Sequence, residues 1–433
     1  MKPLSITFLG TCSGGGPLIS RACTATALNF DGYSWLIDCA EGTQTQILRT
    51  NGLRIGRFDK VFITHMHVDH IMGLIPFLRT SMYSADTPSS STQLRMQLYG
   101  PAGLRSFVRF NLGITEVGLV GKYAVHELLG KEEQPSAGCE KEVLHENEVP
   151  GMDIRAGEDG LWREIVKTRD GEWSVDAGPL VHRTRCLGYV FKEVASSSTP
   201  ASAFIPALDA NASSLLIHNR VRNPRSLLRT LLVERKPVHL PDGTTLEPPR
   251  LDMPGRKVVI LGDTSDSSAM VPIAMDASVL VHESTNMFIP KHVADKVRGV
   301  SSRGTVESVR NKAIGRGHST ADMAGEFAAK IRARRLFLNH FSTMLCPGGL
   351  APPPRNLRPS SKAQKDAVIV MTELERQASE AWGMGSAIAA LDLMTVDIPQ
   401  HELVVAAPTE APVHGQAHEG SPVPPQGDRV TTS

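Results

Sequence analysis

Residues 64–70 read Thr-His-Met-His-Val-Asp-His, so His65, His67, Asp69 and His70 place four metal-binding side chains within six positions. Three imidazoles with one hard carboxylate suit zinc, and a pair of zinc ions can activate a water for hydrolysis near neutral pH. The plain alternatives are chance histidines on a surface loop or a purely structural zinc, and structural sites favour cysteine ligands, which this stretch lacks. The apolar run Val61-Phe62-Ile63 immediately before the cluster reads as a buried strand whose end delivers it. Three later segments repeat that arrangement: residues 257–262 lead to Asp263, 278–281 to His282, and 335–339 to His340. Taken singly, an Asp after a strand often caps a helix and a lone His is usually packed. Beside the His-rich loop, they read as strand ends that carry chemistry.

The elements around these positions are legible from pattern. Residues 4–9 alternate apolar and polar as a half-buried strand does, until the glycine-rich stretch 10–16 breaks them. Residues 24–30 and 33–38 are β-rich and joined by Asp31-Gly32, which predicts a hairpin with a tight primed turn. Gly42 and Thr43 open a short helix that Asn51-Gly52 stops, and Pro76 sits near the start of another that runs to about Tyr83.

At 433 residues and 41% hydrophobic content the chain can bury a large core, in about one to three domains. A formal charge of +1 argues against nucleic acid gripped over a whole face and leaves room only for a local basic patch. Cys12, Cys23, Cys39, Cys139, Cys186 and Cys346 show no Cys-x-x-Cys spacing, which fits free thiols in a reducing compartment. With no signal-peptide pattern and no apolar run near the roughly 18 to 20 residues a membrane helix needs, an intracellular, soluble protein of the cytoplasm and/or nucleus is expected, without a membrane partner.

Along the chain, in order, stand Phe8-Leu9-Gly10-Thr11, Asp38-Cys39-Ala40-Glu41-Gly42-Thr43-Gln44, residues 62–70, Tyr99-Gly100-Pro101, Gly262-Asp263-Thr264, His282-Glu283-Ser284-Thr285, Gly317-His318-Ser319-Thr320 and His340-Phe341-Ser342. Together these blocks resemble ribonuclease Z in its short form, the tRNA 3′-end endonuclease of the metallo-β-lactamase superfamily. The His-x-His-x-Asp-His loop specifies only the superfamily, whereas His-Glu-Ser-Thr followed by His-Ser-Thr points to the tRNA-processing branch. The resemblance implies an α+β fold, the metallo-β-lactamase αββα sandwich with two mixed β-sheets flanked by helices. It implies two Zn2+ per subunit, one held by His65, His67 and His182, the other by Asp69, His70 and His340, with Asp263 bridging. Asp69 would also orient or deprotonate the water, a pure ligand role being the simpler alternative. His318 would stabilise the pentavalent phosphorus and protonate the leaving 3′ oxygen, with Glu283 holding its ring. Ser319 and Thr320 before the apolar helix 323–331 offer a capping explanation for the same stretch.

The expected substrate is precursor tRNA, cut 3′ of the discriminator nucleotide. Arg220, Arg222, Arg225, Arg229, Arg235 and Lys236 face one acid, Glu234, where the family inserts its tRNA-binding arm. Leu227, Leu228, Leu231 and Leu232 also permit a solvated amphipathic helix there. The arm's usual Gly-Pro stretch is replaced by Asn223-Pro224-Arg225, the N-terminal loop reads Pro17-Leu18-Ile19-Ser20-Arg21, and Val68 stands where Gly is common. A homodimer follows from the resemblance, the arm of one subunit holding tRNA for the metals of the other. The chain divides into residues 1–399 as the catalytic domain, with a loop insertion at 130–178 and a linker plus basic arm at about 193–254, and 400–433 as a disordered tail. Rival readings are a hydrolase of small esters, sulfates or cyclic nucleotides on the same fold, and a non-catalytic RNA-binding member.

Overall fold

In the computed structural model, residues 3–400 are described, apart from 15, 84–91, 169 and 303. The tail expected to be disordered therefore lies outside the described residues, save Gln400. The strands, in chain order, begin with β1 Ser5–Gly10, β2 Ala25–Asn29, β3 Ser34–Ile37, β4 Phe58–Phe62, β5 Leu94–Pro101, β6 Lys122–Leu129 and β7 Asp153–Arg155. They continue with β8 Trp162–Lys167, β9 Trp173–Leu180, β10 Cys186–Glu193, β11 Val238–His239 and β12 Thr245–Leu246. The last are β13 Lys257–Leu261, β14 Val279–Glu283, β15 Leu336–Asn339, β16 Ile388–Ala389 and β17 Thr395–Asp397.

Two mixed sheets result, ordered β17-β1-β2-β3-β4-β5-β6-β7 and β16-β15-β14-β13-β10-β9-β8, with β11 and β12 forming a separate ribbon. In each sheet a parallel block, β3 to β7 or β13 to β16, adjoins an antiparallel one. The pleat explains the layers, because successive side chains leave a strand on opposite faces. In β4, Phe62 enters the core between the sheets, while Val61 packs outward with the helices Leu74–Ser81 and Leu104–Ile114. In β13, Val258 and Ile260 face the same inner core, and Val259 and Leu261 face the helices Ala321–Lys330 and Lys362–Trp382. Phe62 joins the two sheets directly, its ring 5.2 Å from Tyr99 on its own sheet and 5.3 Å from Tyr189 on the other. The protein has the metallo-β-lactamase fold, an αββα sandwich.

Residues 130–178 differ from the expected loop insertion. They include β7, β8 and most of β9, which extend the edges of both sheets. β8 is hard to read because its register shifts between Trp162 and Val166, and Glu164 there takes a positive φ of 49°. This breaks the alternation a strand normally displays. Residues 201–246 carry a small core of their own, built on Leu208, Leu215, Leu231, Val238 and Leu240. Its base is closed by backbone hydrogen bonds between Ser196 and Met253 at 2.9 and 3.0 Å. Leu231 is buried in a single wide helical turn, Arg229–Val233, with Leu227, Leu228 and Leu232 half-buried around it, so the apolar stripe closes this core instead of forming a long free helix.

Candidate metal centre

The His-rich loop leaves the end of β4, and β9, β13 and β15 end beside it, bringing His182, Asp263 and His340 to the same edge of the sandwich. His65, His67, His182 and Asp263 form one cluster and Asp69, His70 and His340 a second, the donor atoms of each lying within 4.8 Å of one another. In the first, His65 Nε2 is 3.0 Å and His182 Nε2 3.2 Å from His67 Nδ1. In the second, His340 Nε2 is 3.2 Å from His70 Nε2 and 3.3 Å from Asp69 Oδ2. Asp263 spans both, with Oδ2 3.7 Å from His65 Nε2 and Oδ1 3.2 Å from His340 Nε2.

The far ring nitrogens are anchored. His65 Nδ1 meets Thr64 Oγ1 at 3.1 Å, His70 Nδ1 meets Asp38 Oδ2 at 2.7 Å, His182 Nδ1 meets the Gly317 carbonyl at 2.6 Å, and His340 Nδ1 meets Thr285 Oγ1 at 3.0 Å. Such partners fix ring orientation and tautomer and leave the opposite nitrogen free to bind a cation. Asp38 and His340 both sit in left-handed backbone, at φ 57° and 59°, uncommon for residues other than glycine. Local strain at His340 and at the carboxylate behind His70 is the kind a folded framework must hold in place.

The electrostatics favour cation binding. Burial pushes His65, His67 and His182 below the usual imidazole range, so they stand neutral with a lone pair available. Burial alone would raise Asp263, yet His340 and His70 outweigh it and hold the carboxylate well below its ordinary value. Burial likewise opposes charge on His70, but Asp263 and Asp38 hold it well above its ordinary value. A proton at His70 is thus what the surrounding carboxylates attract, and a divalent cation competes for the same place. Imidazole nitrogens and carboxylate oxygens, facing each other at 3.0–3.9 Å, fit zinc.

His318 lies at the rim, its Nδ1 3.1 Å from Glu283 Oε1 and 3.8 Å from Asp263 Oδ2. Although it lies near enough to Asp263 and His340 to act as a further donor, its Nδ1 is already engaged by Glu283. Burial lowers its basicity, and the Glu283 contact more than restores it, leaving the ring above its ordinary pKa. Glu283 also accepts the Thr264 amide at 2.7 Å and the Thr285 amide at 3.2 Å. His282 is turned away instead. It shares the outer face with Leu280, stands 5.8 Å from the Phe327 ring, and hydrogen-bonds Ser267 Oγ at 3.0 Å.

The expected basic residues, Arg220, Arg222, Arg225, Arg229, Arg235 and Lys236, are all exposed on the small 201–246 unit. Arg225 is paired with Asp209 at 3.0 Å and Arg229 approaches Glu234 at 3.8 Å. No hydrogen bond or ion pair among the described residues joins these six to the metal-site side chains. The sequence reading missed the roles of Asp38, Thr64, Thr285 and Gly317. Asp38 did carry a signal, since it follows β3 as Asp263 follows β13.

The family model described as anti-Pycsar protein Apyc1 matches residues 4–107, less than half the chain. Zinc phosphodiesterase ELAC protein 1 of Bos taurus is 30% identical over 411 residues, covering 92% of this chain and 99% of that one. Ribonuclease Z of Streptococcus pneumoniae is 30% identical over 376 residues, covering 85% of this chain and 95% of its own length. The chain belongs to the ribonuclease Z family. In the crystal structure of human tRNase Z, short form, the ribonuclease Z family supplies a solved relative at 25% identity and a TM-score of 0.52, covering 91% of this chain and 99% of the other. Among the described residues no helix is long and apolar enough to cross a membrane, and all six cysteines are free.

Proposed function

We propose that this protein is a zinc-dependent endoribonuclease that cuts precursor tRNA 3′ of the discriminator nucleotide, acting as an intracellular homodimer in the cytoplasm and/or nucleus. The bridging position of Asp263, with one oxygen toward each histidine cluster, is the observation that supports this most directly. His65, His67 and His182 would hold one zinc and Asp69, His70 and His340 the other, with Asp263 shared, giving two ions per subunit. Bound there, zinc supplies Lewis acidity toward a phosphoryl oxygen and acidifies water.

The remaining work falls to side chains. Asp69 turns Oδ2 toward His340 and keeps Oδ1 to orient the attacking water and accept its proton. As the water oxygen bonds to phosphorus, the P–O3′ bond breaks on the opposite side. His318 gives its proton to the departing 3′ oxygen, and Glu283 holds the ring through Nδ1. The products are a 3′ hydroxyl on the tRNA and a 5′ phosphate on the trailer. Residues 1–399 form the catalytic unit, the exposed cations of the 193–254 segment hold tRNA phosphates, and the tail 400–433 is dispensable.

The test is to incubate zinc-loaded wild type and Asp69→Ala with a precursor tRNA and with a small chromogenic phosphodiester. A single cut after the discriminator nucleotide, lost in Asp69→Ala, is expected. Hydrolysis of the small diester with every precursor left intact would overturn the tRNA assignment and favour the small-substrate reading.

A further inference from the structure

Arg183, Lys312 and Arg316 have no part in the chemistry above, although each lies on a segment that adjoins the His318 loop. Arg183 follows His182, and a Cβ placed on Gly317 would lie 3.0 Å from the Arg183 nitrogen and 3.3 Å from its Cγ. Arg183 therefore packs against the loop that carries His318. Lys312 lies in the last turn of the helix Val306–Gly315 and Arg316 caps it, four residues apart and so on one side of the helix. Arg310 is engaged elsewhere, with Asp322 at 3.0 Å and with Glu326 at 2.6 Å. Glu307, the acid of this helix, is neither three nor four residues from Lys312 or Arg316. The three cations are exposed and make no ion pair with a carboxylate among the described residues.

We propose that Arg183, Lys312 and Arg316 form a second RNA-binding ridge, separate from the basic 201–246 unit, that contacts the phosphate backbone of the acceptor stem. This inference rests on the proposed function. In-line displacement puts the leaving 3′ oxygen opposite the attacking water, and His318 marks the leaving side. That oxygen belongs to the tRNA, so its acceptor stem leaves on the side of His318, the side where Arg183 packs against the His318 loop and the helix Val306–Gly315 runs into it. Three unpaired cations on that side supply the positive charge a polyanion requires. The contrasting possibility is that Lys312 and Arg316 only complement the helix dipole, which stabilises the fold without touching RNA.

Binding of a fluorescent acceptor-stem minihelix without an elbow, followed by anisotropy across salt concentrations, separates these cases. The zinc-loaded full chain would be compared with Arg183→Ala, the pair Lys312→Glu/Arg316→Glu and the milder pair Lys312→Gln/Arg316→Gln. The charge-reversed pair is expected to weaken binding by about tenfold or more, with a salt slope shallower by about 0.7–0.9 for each phosphate no longer neutralised. Arg183→Ala and the neutral pair should follow in the same direction, and both paired variants should hydrolyse a small chromogenic diester within twofold of wild type. Unchanged affinity and slope in all variants would overturn the ridge, as would a lowered Tm with unchanged affinity or a wild type that does not bind the minihelix. If wild type binds the minihelix but cuts no precursor, the proposed function fails, while the affinities still decide the ridge.

Discussion

Asp38 Oδ2 lies 2.7 Å from His70 Nδ1, while its Oδ1 accepts the Thr64 amide, also at 2.7 Å. One carboxylate thus fixes both the imidazole and the backbone from which the His-rich loop departs. Replacing it, as in Asp38→Ala, is expected to lower zinc affinity roughly 10- to 100-fold. Metal titration of the folded variant, with circular dichroism to establish folding, measures the effect; wild-type affinity would show that His70 needs no such support.

Zinc removal should act on the fold as well as on turnover, because the donors come from both sheets. A ligand present at about 1,000 times its Kd stabilises by roughly 4 kcal/mol. Treatment with a chelator is therefore expected to abolish cleavage and to lower Tm, with both restored by zinc. Full ribonuclease turnover in metal-free protein would remove the basis of the proposed chemistry.

His318 and Glu283 are expected to act as a unit. His318→Ala should reduce kcat by about 10²- to 10⁴-fold with zinc content unchanged, the range for loss of a general acid. Glu283→Gln should lose part of that, and the double variant should be little worse than His318→Ala. Fully multiplicative losses in single-turnover cleavage would mean that the two side chains work independently.

Gly317 answers to two constraints at once. Its φ is +77°, and a Cβ there would stand 2.7 Å from His182 Nδ1, the nitrogen that meets the Gly317 carbonyl. Gly317→Ala is expected to cost at least about 1–2 kcal/mol of stability from backbone strain alone. It should also weaken zinc at the His182 side, as read by denaturant midpoint and metal content. A variant with native values for both would show that the loop relaxes freely.

The cations of the 201–246 unit divide by pairing. Arg225 and Arg229 have acidic neighbours, whereas Arg220, Arg222, Arg235 and Lys236 have no ion pair among the described residues. Neutralising these last four should raise KM for precursor tRNA and flatten its salt dependence, leaving small-diester hydrolysis unchanged. An unaltered salt slope would exclude this unit from binding RNA.

The His-rich loop was readable because its candidate ligands are crowded into six positions behind an apolar strand, and Asp263 and His340 because each follows a strand of the same kind. His282 looked equivalent in a linear reading. The pleat sends it outward with Leu280 and turns Glu283 to the side of Val281, so neighbours in sequence have opposite surroundings. The strands within 130–178 were hidden by a shifted register and by charged residues at sheet edges. The roles of Thr64, Thr285 and Gly317 arise from hydrogen bonds made at a distance, for which a chain of residue types carries no local signature.

Because one donor group comes largely from the β4 loop and its complement from β9, β13 and β15, the centre is assembled only when the two sheets have closed on one another. During synthesis the first histidines emerge some 270 residues ahead of His340. A nascent or truncated chain thus lacks a complete cage, which would spare surrounding RNA from a half-made nuclease until the final layers have docked.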